Sequence, residues 1–533
     1  VAIVVLLGWA LVATRAAAYC RTITESIPAD FDQTKGCYDP PGAIPLWWSN
    51  LCVGFSMQEN ASSQISLIDA TSHTTAAFGR WTSATCPSGG NPSVSLMNEG
   101  PVACSTVEYS MVGPNQHAVI FRDAAWPYDD PYNTLALTTV TFETNTGELY
   151  DADIEINSAM TKLSLVAPPP SGAYDFDSII THEAGHFLGL AHSSLDTAMM
   201  YAFYQPGAPA LTSDDVEGIC TIYPPNGTRA TDQDAGTGTL AVITVTAAQC
   251  DPTPRHGFGS ACGPLGTPAP VITSGGCAIA GAVGAHGSNG ARGSGAVGLA
   301  GFLLALLVAR RRPAATIPPM KRVRAAVWGC ALGVGVAAAG AVATGGVAHA
   351  SIAITVLFDE LVRDSSAAAV VTATEQRPVW ENGRIITYTH VHTDRRVGGT
   401  LEDEPWVRTM GGTVGTIGQL VDGEPVLTVG KQGLLFLRPV PEQGAGVYEV
   451  TARAQGQFPV VTDEKNVQTF RTSSAVGGLV PTPSARVAQI SQMRAGAGLP
   501  ASAPMASDVL HKRSVEDGVH DVSAAWVRIH GAK

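Results

Sequence analysis

The sequence predicts an α/β (α+β) fold with a mixed twisted sheet for residues 44–224, and a separate small β-rich domain after Ser351. Three observations support this. Strand-like runs alternate with helix-period segments between Ile44 and Pro224. From Pro225 to about Gly295 the composition turns to Gly, Pro, Thr and Ala. After Ser351 short β-rich runs recur, among them RIITYTHVH, PVLTVGKQGLLFLRP and VYEVTARAQ. A chain of 533 residues is also too long for one ordinary core, so several domains are expected.

Residues 1–18 are an apolar run ending in Ala16-Ala17-Ala18, the order of a signal peptide with cleavage before Tyr19. Residues 19–43 form a short N-terminal segment. In the first domain PLWWSNLCVGFSM, HAVIFRD, TLALTTVTF and ELYDADIEIN read as strands. SQISLIDATSHTTAAFGRW reads as a helix, with Ile65, Ile68, Ala76, Phe78 and Trp81 on its apolar face. FDSIITHEAGHFLGL is a helix capped by Asp175, and TSDDVEGICTIY a last helix capped by Thr212 or Ser213. Residues 225–295 read as a linker. The β-rich domain spans residues 351–485 and a polar, poorly ordered tail residues 486–533.

Export accounts for the cysteines. Cys20, Cys37, Cys52, Cys86, Cys104, Cys220, Cys250 and Cys262 form an even set, which suggests disulfides of undetermined connectivity. None shows the short paired spacing of a cysteine-ligated zinc. Net charge is −13, unevenly spread: residues 19–226 hold 23 acidic and 5 basic residues, residues 351–533 hold 19 and 17. The first half therefore lacks the clustered Lys and Arg that nucleic-acid phosphates require.

The chemistry is concentrated in THEAGHFLGLAHSSLDTAMMYAFY, residues 181–204. His182 and His186 are four apart, so on a helix both imidazoles reach one metal ion. Gly189 ends the helix and His192 returns as a third ligand, leaving one zinc position open, as catalytic zinc requires. Glu183 is placed to act on water as general base. Together with Met200 this is the HExxHxxGxxH pattern and methionine turn of the metzincins.

Within that group HSSLDTAMMYAFY resembles the matrixins, the matrix-metalloprotease branch. The resemblance covers roughly residues 44–224 and implies a metzincin fold, one catalytic zinc, and proteins or peptides as substrates. It assigns Met200 to the turn beneath the metal and Tyr204 to the wall of a substrate pocket; the family's proline is replaced by Ala202. Arg122, Ala124, Leu137 and Tyr150 stand where matrixins carry the ligands of a structural zinc, so none is expected. Asp129 stands at a calcium-ligand position, and Asp151, Asp153 and Glu155 alternate on one strand face, which calls for calcium or for solvent. The matrixin cysteine switch is absent. The strand 135–141 is expected to pair with an extended substrate.

Other histidines have plainer readings: His390 and His392 as a surface pair, His73 and His117 as structural or exposed. The competing reading of the whole domain is a catalytically silent surface-binding module, against which the intact Glu183 and full ligand set argue.

Residues 296–312 form a short apolar segment with a basic stop. With Cys277 they resemble the sorting tails of myxobacterial surface proteins, implying processing near Cys277, membrane association through the apolar segments, and a cell-surface, outer-membrane or extracellular location. Residues 320–350 again run basic, apolar, small-x-small, ending Ala348-His349-Ala350. They read as a second signal of a joined reading frame, or as part of a helical hairpin.

Overall fold

A computed structural model of the chain describes residues 19–32, 36–128, 132–201, 210–233, 240–245, 250–262 and 351–531. The segments expected as signal peptide, sorting tail and second signal, with Asp129, Ala202, Tyr204 and Cys277, lie outside the described residues. Among the described residues no helix is long and apolar enough to cross a membrane.

The first half runs β1 (Cys20–Arg21), β2 (Cys52–Gln58), α1 (Leu67–Thr82), β3 (Ser95–Val102), β4 (Ala118–Phe121), β5 (Thr134–Glu143), β6 (Leu149–Ile156), β7 (Leu163–Ser164), β8 (Tyr174–Asp175), α2 (Phe176–Phe187), β9 (Leu190–Ala191), α3 (Ser213–Ile222), β10 (Thr228–Gln233) and β11 (Leu240–Thr244). Strands β3-β2-β4-β6 pair in parallel, and β5 closes this order antiparallel to β6, with Ala136 opposite Ile156 and Thr141 opposite Asp151. The sheet is therefore mixed, as expected.

Helices α1 and α2 lie against it, and their apolar faces build one core with Phe55, Phe78, Trp81, Phe176, Ile179, Ile180 and Phe187. In α1 the buried face is Ala70, Thr74, Ala77, Phe78 and Trp81. Ile68 is 81 % exposed and Ala76 is exposed, so the expected stripe was misplaced in part. The 3.6-residue period selects Ala77 and Phe78 instead. Asp175 caps α2 and Thr212 caps α3, the latter in a capping box with Asp215.

All eight cysteines of the even set are bridged: Cys20–Cys37, Cys52–Cys250, Cys86–Cys220 and Cys104–Cys262. The last half-cystines explain why residues 225–262 do not behave as the expected linker. Cys250 and Cys262 tie this stretch to β2 and to the chain after β3, and Arg229 is fully buried, donating to the carbonyls of Trp48 and Ser93.

The second half runs β12 (Ser351–Ile354), α4 (Phe358–Asp364), β13 (Ala367–Glu381), β14 (Arg384–Gly399), β15 (Trp406–Met410), β16 (Gly412–Val414), β17 (Ile417–Val421), β18 (Gln432–Pro439), β19 (Val447–Val450), β20 (Gln457–Thr462), β21 (Gln468–Phe470), β22 (Gly478–Val480), α5 (Ser484–Gly496), α6 (Ala506–Leu510) and α7 (Val515–His530). Strands β13-β14-β15-β19-β18 close through a β13–β18 pairing into a five-stranded barrel, with only β15 and β19 parallel, an architecture of the OB-fold kind.

The expected polar tail is structured. α7 buries Val519, Val522, Ala525 and Trp526 in a core shared with α4 and the barrel. Nor is this region isolated from the first domain. β12 pairs antiparallel with β5 over Leu137–Thr134, and β17 pairs antiparallel with the same strand over Glu143–Thr139. Trp526→Ala should cost about 3–5 kcal/mol, read as a lower urea midpoint of the full chain; an unchanged midpoint would mean α7 is not part of the fold.

Candidate metal centre

Helix α2 is held at its middle and at its C-terminal end. Trp81 Nε1 donates to the Thr181 carbonyl at 2.8 Å, and Trp48 Nε1 and Tyr223 Oη donate to the Phe187 and Leu188 carbonyls at 2.8 Å. The last two bonds satisfy C-terminal carbonyls that a helix leaves unpaired. The chain then reverses at Gly189, whose φ is +91° and where a Cβ would lie 2.9 Å from the Leu46 carbonyl oxygen, so glycine is required. This reversal carries His192 back toward the helix.

The three histidines meet. His182 Nε2 lies 3.0 Å from both His186 Nε2 and His192 Nε2. His182 Nδ1 lies 2.8 Å from the Met199 carbonyl and His186 Nδ1 2.8 Å from the Leu190 carbonyl. A carbonyl only accepts, so in both rings Nδ1 carries the proton. Burial pushes His182 down to about 4, against the opposing hydrogen bond to Met199, so its ring is neutral. The Nε2 lone pairs of His182 and His186 then face one another across 3.0 Å, an arrangement that repels unless a cation lies between them. The donor set fits zinc.

Met200 is 1 % exposed and lies against α2 at Gly185. A Cβ on Gly185 would fall 2.2 Å from its sulfur, so α2 approaches the methionine turn only because residue 185 is glycine. The turn is fixed by Asp215, whose carboxylate accepts the Met199 and Met200 main-chain N–H groups at 2.8 and 3.0 Å. Asp214 accepts from Ser193 Oγ and from the Tyr19 main-chain nitrogen.

Glu183 is fully buried next to the triad. Thr138 Oγ1 on β5 donates to its Oε2 at 2.5 Å, and Oε1 makes no hydrogen bond of good geometry. Burial pushes the carboxyl up to about 7, offset by Thr138, by the main-chain N–H of Ile352 and by Arg453.

The structure thus brings together His182, His186, His192, Glu183 and Met200. Sequence reasoning missed Thr138, the Met199 and Leu190 carbonyls, Gly185 and Asp215. Only the last two had a local signal, the glycine inside HEAGH and the paired aspartates that open α3.

The acidic row needs correction. Asp151, Asp153 and Glu155 are 2 %, 2 % and 0 % exposed, so they are not a solvated face. Glu155 pairs with Arg122, accepts from Tyr128 Oη at 2.6 Å, and lies 3.6 Å from Arg384 of the second half. Burial holds Asp151 and Asp153 well above the usual carboxylate range, Asp151 also through Asp153 and Asp153 through Glu155. Leu137 is buried, and Tyr150 carries the Arg255 guanidinium 3.7 Å over its ring. His117 is buried with Nδ1 2.8 Å from the Gly54 carbonyl, His73 pairs with Asp177 at 2.9 Å, and His390 and His392 lie 3.7 and 2.6 Å from Glu404.

A histidine triad on a helix–turn, beside a buried glutamate and against a mixed sheet, is a donor set of the kind that holds zinc. Comparison with known proteins agrees: residues 47–224 match the matrixin peptidase family. The chain is 37 % identical over 102 residues to human matrilysin, covering 19 % of this chain and 35 % of that protein. Metalloendoproteinase 1-MMP of Arabidopsis thaliana is 48 % identical over 56 residues, covering 10 % of this chain and 15 % of that protein. Metalloendoproteinase 5-MMP of the same plant is 35 % identical over 106 residues, covering 19 % and 29 %. The chain therefore spans about a third or less of these relatives' lengths. The similarity to matrixin-type metalloendopeptidases lies within residues 47–224.

Asp215→Ala would strip two turn N–H groups of their acceptor. It should weaken zinc binding about tenfold or more, measured by competition with a chromophoric chelator. Unchanged affinity would mean that the turn is held by other contacts.

Proposed function

We propose that residues 44–224 are an exported zinc-dependent endopeptidase in which Glu183 is the general base. The observation that carries this reading is the convergence of three Nε2 atoms, two of them oriented by carbonyl acceptors, beside a buried carboxyl. Zinc bound there supplies Lewis acidity toward a peptide carbonyl and toward water. Glu183 takes the proton of the attacking water and delivers it to the leaving amine nitrogen. Thr138 orients the carboxylate by its bond to Oε2, leaving Oε1 for that proton transfer. The outer edge of β5 offers main-chain N–H and carbonyl groups to an extended peptide, so recognition rests on backbone pairing more than on side chains. Tyr204 walls the adjoining substrate pocket in this reading.

The location follows from segments outside the described residues: export through residues 1–18 and retention at the cell surface through residues 277–312. A mature protein whose mass runs through Arg312 would refute processing near Cys277.

Residues 19–262 contain the four disulfides and the α1–α2 core, and suit the direct test. Glu183→Ala should keep zinc bound and lower casein hydrolysis by about 10²–10⁴-fold. Removal of zinc by a chelator should abolish hydrolysis, and re-addition should restore it. Hydrolysis that survives chelation would overturn the zinc mechanism, and a zinc-loaded wild type without activity would favour a silent binding module.

A further inference from the structure

The outer edge of β5, which the proposed function assigns to substrate, is already taken. β12 lies antiparallel on it, with Ser351 opposite Leu137, Ile352 opposite Ala136 and Ala353 opposite Thr134. Ile354 donates its main-chain N–H to the Asn133 carbonyl, and β17 covers the remainder of the strand, Val421 opposite Thr139 through Ile417 opposite Glu143. The side chains of Ile352 and Ile354, with Val480 of β22, join the same apolar core as α2 and Met200. His182 is left 4 % exposed and Glu183 0 %.

Side chains secure this placement from several directions. Arg384 donates to Tyr128 Oη and to Thr139 Oγ1, and Gln419 Nε2 donates to Thr141 Oγ1 at 3.0 Å. Arg486 donates to the Tyr132 carbonyl and to Asn133 Oδ1 at 3.0 and 2.9 Å, while pairing with Glu360 of its own module at 2.7 Å. Lys431 pairs with Asp30 at 2.8 Å.

We infer that residues 351–533 are an inhibitory module of this protease, which closes the cleft by adding β12 to the substrate edge of β5. A strand donated to that edge uses the hydrogen bonds an extended substrate would need, and two strands cannot occupy one edge. The inhibited state is the docked one, and activity requires that the module withdraw. This inference rests on the peptidase reading for its consequence, though the docking can be measured independently.

The test uses the zinc-loaded full chain and two variants. Ile352→Pro removes a main-chain N–H from β12 and obstructs its addition to β5. Arg384→Ala/Arg486→Ala weakens docking while leaving β12 and the metal site intact, which guards against misfolding of the proline variant. Hydrogen exchange reads those amides of residues 134–143 that do not pair with β6, and a short peptide hydroxamate, a zinc chelator with a pairing backbone, reports access to the cleft. Protection of these amides in wild type is expected, with loss of protection and at least about tenfold tighter hydroxamate binding in both variants. Wild type exchanging as fast as the variants, or binding hydroxamate as tightly, would overturn the inference. So would steady self-cleavage within residues 351–354, which would make β12 a substrate. Hydroxamate binding gained without any peptide hydrolysis would leave the docking intact and refute the peptidase reading instead.

Discussion

The structure depends most on what happens at the two edges of β5. Its inner edge pairs with β6 and completes the mixed sheet; its outer edge is main chain that has to be paired, covered or used. From this strand Thr138 reaches Glu183, so the same strand that β12 and β17 pair with also holds the proposed general base. The second half of the chain meets that requirement with β12 and β17. Pairing, catalytic geometry and the contact between the two halves therefore share one strand, and a change in its register would disturb all three.

The metal centre has a similar economy. The ligands lie on one helix and the turn that follows it, but their aim comes from elsewhere: from the Met199 and Leu190 carbonyls behind the rings, from Asp215 behind the methionine turn, and from Trp48 and Tyr223 at the helix end. Metal affinity in such sites is governed by ring orientation and tautomer, both set by these outer contacts. Two glycines make the close approach possible, Gly185 over the methionine sulfur and Gly189 at the reversal.

The charge imbalance between the halves also acquires a structural meaning. The first half carries a large acidic excess, and several of its acceptors are met by basic residues of the second: Arg384 near Glu155, Lys431 on Asp30 and Arg471 within 3.7 Å of Asp32. Exposed pairs of this kind contribute little each. Glu155 differs because it is fully buried, and a buried carboxylate needs its cationic partners. The row that suggested a cation or solvent is covered by protein, and at Glu155 that cover includes the guanidinium of Arg122 from its own half.

By itself the sequence determined the local chemistry. The spacing of His182, His186 and His192 around Gly189, the neighbouring Glu183, the caps Asp175 and Thr212 and the strands β2, β4, β5 and β6 all follow from short-range periodicity and turn chemistry, because each depends on neighbours a few residues away. Tertiary structure decided what depends on distant partners. The return of residues 225–262 is imposed by disulfides whose connectivity no spacing reveals, and the helix at residues 515–530 is stable because Trp526 and Val522 find an apolar partner surface. The occupation of β5 belongs to the same class. Main-chain pairing carries no side-chain code, so an edge that the sequence marked for a substrate could be filled by a strand more than 200 residues away without any signal in either segment.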